Sequence, residues 1–140
     1  MSEGTFAAQL KAFSEKTKEQ IDGVVALTVM QIAERVIKRS PVGNPDLWVY
    51  NRGTKENPDY VDYRAYRDPN GYIGGHFRAN WQLGVNRKPE GEVNEIDKGG
   101  GATIAKITGQ IGAIEHPAGN VFWLCNNLPY ALRLEHGWST

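Results

Sequence analysis

One apolar stripe constrains this chain more than any other feature. Phe6, Leu10, Phe13, Thr17, Ile21, Val24, Thr28, Ile32 and Val36 recur at spacings of three and four, which places them along one face of an α-helix. Lys11, Lys16, Lys18, Glu19, Asp22, Glu34 and Lys38 fall mostly off that face. Thr5 is a candidate N-cap, and Pro41 ends the helix by disfavouring helical geometry at Ser40. An unbroken helix over residues 5–40 would run roughly 54 Å at about 1.5 Å per residue, longer than a compact domain of this size. The pattern therefore predicts a break or kink at Gly23. It would separate an N-terminal helical arm, residues 1–22, from a second, core-packing helix. The stripe has two readings: packing within its own domain, or docking of the part before Gly23 on a neighbouring subunit.

Further along, a short helical turn is expected from Gly75 to Trp81, and residues 81–85 (WQLGV) alternate like a strand. Residues 86–101 are polar and end in Gly99-Gly100-Gly101, read as a flexible hinge. The Lys-Ser/Thr that would make this a phosphate loop is missing. Ala102–Ile114 carries apolar residues at 104, 107, 111 and 114, a second helical face. His116–Asn120 is a turn, and Val121-Phe122-Trp123-Leu124-Cys125 reads as a buried strand. The expected fold is α+β in a single domain, 1–140: a long N-terminal helix and a second helix packed on a small antiparallel sheet. Residues 44–74 have no sustained period, yet hold Trp48, Tyr50, Tyr60, Tyr63, Tyr66 and Tyr72. This is the pattern of a long loop insertion whose amphipathic rings anchor it on a surface, its own domain's or a partner's.

Charge and cysteine content remove several function classes. With 16 basic and 16 acidic residues the formal net charge is zero, whereas polyanion-binding domains carry a basic excess. Cys125 is the only cysteine, so no intrachain disulfide forms, and its apolar setting fits a small buried hydrophobe. The start lacks the basic and apolar regions of a signal peptide, and no stretch approaches the roughly 18 apolar residues of a membrane span. Synthesis and folding in a reducing cytoplasm are the expectation.

Catalytic constellations are missing too. His76, His116 and His136 are forty and twenty residues apart, without a metal-binding His spacing. There is no G-x-S-x-G elbow. Glu90, Glu92, Glu95 and Asp97 cluster in a polar loop without the apolar surroundings that would raise one carboxyl for acid–base work. No cofactor, metal site or enzymatic activity is expected.

Two stretches carry a family resemblance. Asn126-Asn127-Leu128-Pro129-Tyr130-Ala131, followed by Glu135, Gly137 and Ser139, resembles the N-N-x-P-Y-A-x-x-x-E-x-G-x-S segment of small neck, or tail-completion, proteins of long-tailed bacteriophages. Members of that family also carry S-P-V-x-T-G-x-L-R-x-S-W after a long first helix. Here Ser40-Pro41-Val42-Gly43 is followed, after the insertion, by Gly74-Gly75-His76-Phe77-Arg78-Ala79-Asn80-Trp81. Asn80 stands where Ser is usual, and the insertion replaces a tight turn. The family pattern continues past Gly-x-Ser, whereas this sequence stops at Thr140; the expectation is that the protein is shortened here or its tail has been lost, and an incomplete sheet edge at this end would need a partner or a covering loop.

The resemblance implies a structural role in the virion, assembled in the host cytoplasm. Copies would form a homo-oligomeric ring, of six, that completes the tail. The ring would contact the tail terminator or tube and the head connector or stopper, letting DNA pass without specific binding and without a membrane partner. A tail terminator capping the tube is one alternative, and a small phage-encoded hydrolase or nuclease a second. The expected subunit or partner contacts are Tyr130, Leu132, Leu134 and Trp138, with Trp48, Tyr50, Tyr60, Tyr63 and Tyr66 of the insertion. The expected lining of the DNA passage is Glu90, Glu92, Glu95 and Asp97, which compete with an outward-facing solvated loop as the account of those charges.

Overall fold

The computed structural model describes residues 3–43 and 74–136. The architecture is α+β, with the order α1 (Glu3–Arg39), α2 (His76–Ala79), β1 (Trp81–Val85), α3 (Gly101–Gly112), β2 (Phe122–Asn126) and α4 (Ala131–Glu135). Strands β1 and β2 form a two-stranded antiparallel sheet in which Leu83 faces Leu124 and Trp81 faces Asn126. Asn86, at φ 58°, closes one end of this pair. Its backbone N–H donates to Val121 O, and its side chain accepts from Val121 N–H and donates to Asn120 Oδ1.

The core is small. Ala33 and Ile37 of α1 meet Ile107 and Ile111 of α3 and Leu83 of β1, all buried, with Val29, Met30, Ile104 and Phe122 packed around them. Helix α3 supplies its half through Thr103, Ile107 and Ile111, the four-residue spacing that keeps one face inward.

Two expectations about α1 are corrected. The helix runs unbroken through Gly23. A glycine costs a helix about 1 kcal/mol relative to alanine, which a long helix absorbs without breaking. The length argument fails because α1 does not have to fit within the body. From Gly4 to Ile21 every residue except Thr17 is exposed, and Asp22 bonds to the turn at His116 and Ala118.

The packed face of α1 is also not the one that the stripe marks. Its inward residues are Ala26, Val29, Met30, Ala33 and Ile37. At about 100° per residue that face lies roughly opposite the stripe. Phe6, Leu10, Phe13, Ile21, Val24 and Ile32 are each about half exposed or more. Thr17 and Thr28, on the same stripe, return their hydroxyls to Phe13 O and Val24 O within the helix.

The Gly99–Gly101 run is a built helix start. Gly100 adopts φ 80° as the residue preceding α3. Any Cβ there would lie 2.8 Å from Ile37 Cγ2, so glycine is what lets α3 begin directly against α1.

Candidate functional site

The two halves of the split motif, residues 40–43 and 74–81, meet in space. Pro41 stops α1, leaving the carbonyls of its last turn without helical partners. Ser40 takes two of them: its hydroxyl donates to Val36 O at 2.7 Å and its N–H to Ile37 O at 3.2 Å. Arg78 takes the next, donating from Nη2 to Lys38 O at 2.8 Å. It also donates from Nε to Ser40 O at 3.0 Å and from Nη1 to Lys98 O at 2.8 Å. A guanidinium at the carbonyl end of a helix is also favoured by the helix dipole. Trp81 Nε1 donates to Ser40 Oγ at 2.8 Å. Gly74 sits so close to Val42 and Gly43 that a Cβ would lie 2.6 Å from Val42 Cγ1.

The C-terminal motif joins the same place. Asn126 Nδ2 donates to Phe77 O at 2.8 Å, and Asn127 Nδ2 donates to Pro89 O and Gly91 O, both at 3.0 Å. Leu128 is buried. Phe77 places its ring between those of Trp81 and Tyr130, with centroids 6.0 and 6.1 Å away. Three sequence pieces thus build one joint, and a groove of about 750 Å³ opens on it. Its walls include Val36 of α1, Phe77, Trp81, Leu124 and Leu128, with Leu132 of α4 at the rim. Charge is sparse there: Arg39, Lys88 and Glu135.

Leu132 and Leu134 line this groove, Leu132 remaining 67% exposed, and Tyr130 lies beside it on Phe77. Trp138, Trp48, Tyr50, Tyr60, Tyr63 and Tyr66 lie outside the described residues. Cys125, a partly buried free thiol, is part of the groove wall.

The four acidic residues divide. Glu90, Glu92 and Glu95 are exposed. Glu95 lies 3.7 Å from Lys106, both about half exposed, a pairing worth little in water. Asp97 instead turns in to the start of α3. It accepts from Gly100 N–H at 2.9 Å, from Thr103 N–H at 2.7 Å and from the Thr103 hydroxyl at 2.8 Å. Burial pushes its carboxyl up, but these bonds outweigh that and hold it below its ordinary value. Its stabilising contribution is therefore complete above the unfolded value, near pH 4, and is lost as pH falls through the lower folded value. Asp97→Ala should cost about 1–2 kcal/mol at neutral pH. Asp97→Asn should flatten the acid limb of a denaturation-versus-pH curve. An unchanged acid limb would show that the carboxylate's charge contributes nothing.

The histidines stay apart. His76 Nδ1 lies 3.0 Å from Glu95 O, and His116 Nδ1 lies 3.2 Å from Asp22 Oδ2. Asp22 also accepts from Ala118 N–H at 2.8 Å, the main reason its carboxyl is lowered; this pair pins the 116–120 turn to α1. Among the described residues no group of three or more His, Cys, Asp or Glu is placed to hold a metal ion, and no helix is long and apolar enough to cross a membrane.

Compared with known families, curated proteins and solved structures, the chain matches none.

Proposed function

We propose that this chain is a non-enzymatic structural subunit of the neck of a long-tailed phage. It forms a ring, of six copies, that completes the tail and meets the head connector around a passage for DNA. One observation carries the reading. Residues from the stretches that give the sequence its likeness to that family (40–43, 74–81 and the start of 126–139) are distant in the chain yet form one hydrogen-bonded joint. Such a joint holds surfaces in fixed relation, as a ring subunit requires. An apolar groove opens on it, and a helical arm with large exposed side chains extends from it, surface features that suit association. In this reading Glu90, Glu92 and Glu95 are available to face the passage, where basic groups would hold phosphates.

Deleting the gene from a phage that carries it should leave filled heads and separate tails in electron micrographs, with joining restored by the gene supplied in trans. Tails of uncontrolled length would favour the terminator role. Normally joined particles would overturn the proposal.

A further inference from the structure

We infer that the arm of α1 is a docking element, and that it seats Phe6, Leu10 and Phe13 in the groove of a second copy of this chain. The choice of a second copy rests on the reading of the chain as a ring subunit. The surfaces themselves rest on geometry.

The three side chains are 63%, 57% and 70% exposed. They stand at i, i+4 and i+7, the spacing with which an amphipathic helix presents anchors to an apolar groove. The arm cannot reach its own groove. Val36 belongs to the groove wall and to the same unbroken helix, so Phe13 lies roughly 35 Å and Phe6 roughly 45 Å away along the axis. A rigid helix does not fold back. The rod and the groove of one chain can therefore meet only between chains, a head-to-tail contact that closes into a ring when the rotation allows it.

Size and charge allow a second copy. Phe6, Leu10 and Phe13 present on the order of 400 Å² of apolar surface, about half of the roughly 800 Å² per partner of a standard stable interface. The groove, at about 750 Å³, falls in the range of clefts that engulf ligand-sized apolar groups. The zero formal charge of the chain leaves copies without net repulsion.

Cys125 in the groove wall supplies a direct test. Leu10→Cys and Phe13→Cys variants of the full chain, oxidised under mild conditions, should give disulfide-linked ladders on non-reducing gels. With Cys125→Ala added, no crosslinked species should form, not even the dimer that one cysteine per chain still permits. In parallel, sedimentation of the wild-type chain should show a multimer, and Phe6→Glu/Leu10→Glu/Phe13→Glu should shift it to monomer with its helical circular dichroism kept. Leu132→Glu, on the groove rim, should do the same from the other side.

A disulfide-linked dimer that still forms without Cys125 would mean that arms pair with arms, overturning the proposal. A wild-type monomer would also overturn it, giving the stripe to residues of its own chain or to a foreign partner. A multimer indifferent to the arm and rim variants would remove this contact while leaving the ring reading intact. That reading fails on its own terms only if virions join without the protein.

Discussion

Arg78→Ala should destabilise the fold by about 2–4 kcal/mol, and Arg78→Lys should recover less than half of that loss. The guanidinium donates to three backbone carbonyls, Lys38 O, Ser40 O and Lys98 O. Hydrogen bonds to a charged group contribute roughly 1.5–3 kcal/mol each, and partial exposure of the site reduces the sum. Two of the carbonyls terminate α1, and the third belongs to the loop that enters α3, so one side chain ties both core helices to α2. A lysine ammonium keeps the charge but is a point donor on a flexible stem, unable to span acceptors on two segments. Denaturant unfolding of both variants measures the difference. Equal stability of the lysine variant and the wild type would show that charge at the helix end, not the planar fork, is what matters.

Much of the scaffold is legible in the sequence because its signals are local. Strand β1 falls on the alternating residues 81–85, Pro41 stops α1, and residues 102–114 nearly coincide with α3. Orientation is harder to read. The inward face of α1 is built largely from Ala26, Val29, Met30 and Ala33, side chains that let α3 approach closely but give a weak apolar signal. The outward stripe carries Phe6, Leu10, Phe13 and Ile21, so periodicity singles out the wrong face. A repeat of large side chains marks an apolar face without saying that this face packs on its own chain. The same limit hides the site. Asp97 reads as one of four loop carboxylates, and only the fold shows that it alone reaches the free N–H groups of α3. Arg78, Ser40 and Trp81 are visible as motif residues, but their mutual bonds cross a gap of about forty residues that no spacing rule bridges.

Removal of Asn80 should be the second large effect. The residue is fully buried. Its amide donates to His76 O at 2.8 Å and Val93 O at 3.0 Å, while its carbonyl accepts from Val93 N–H at 2.9 Å. The side chain thus grips both polar groups of Val93 as a neighbouring strand would, fastening the polar 86–99 loop across the end of β1. Serine, the residue that the resemblance would place here, is too short to bridge both groups. Asn80→Ala and Asn80→Ser should each cost about 2–4 kcal/mol, since buried polar partners left unpaired cost roughly 1–3 kcal/mol apiece. Asn80→Asp should be no better, because its carboxylate can still accept from Val93 N–H but faces two carbonyl oxygens where the amide donated. Amide hydrogen exchange at Val93 gives the local readout: protection should fall sharply in all three variants. If protection there is unchanged while global stability drops, Asn80 serves only to fill the core, and the loop is held by its other contacts.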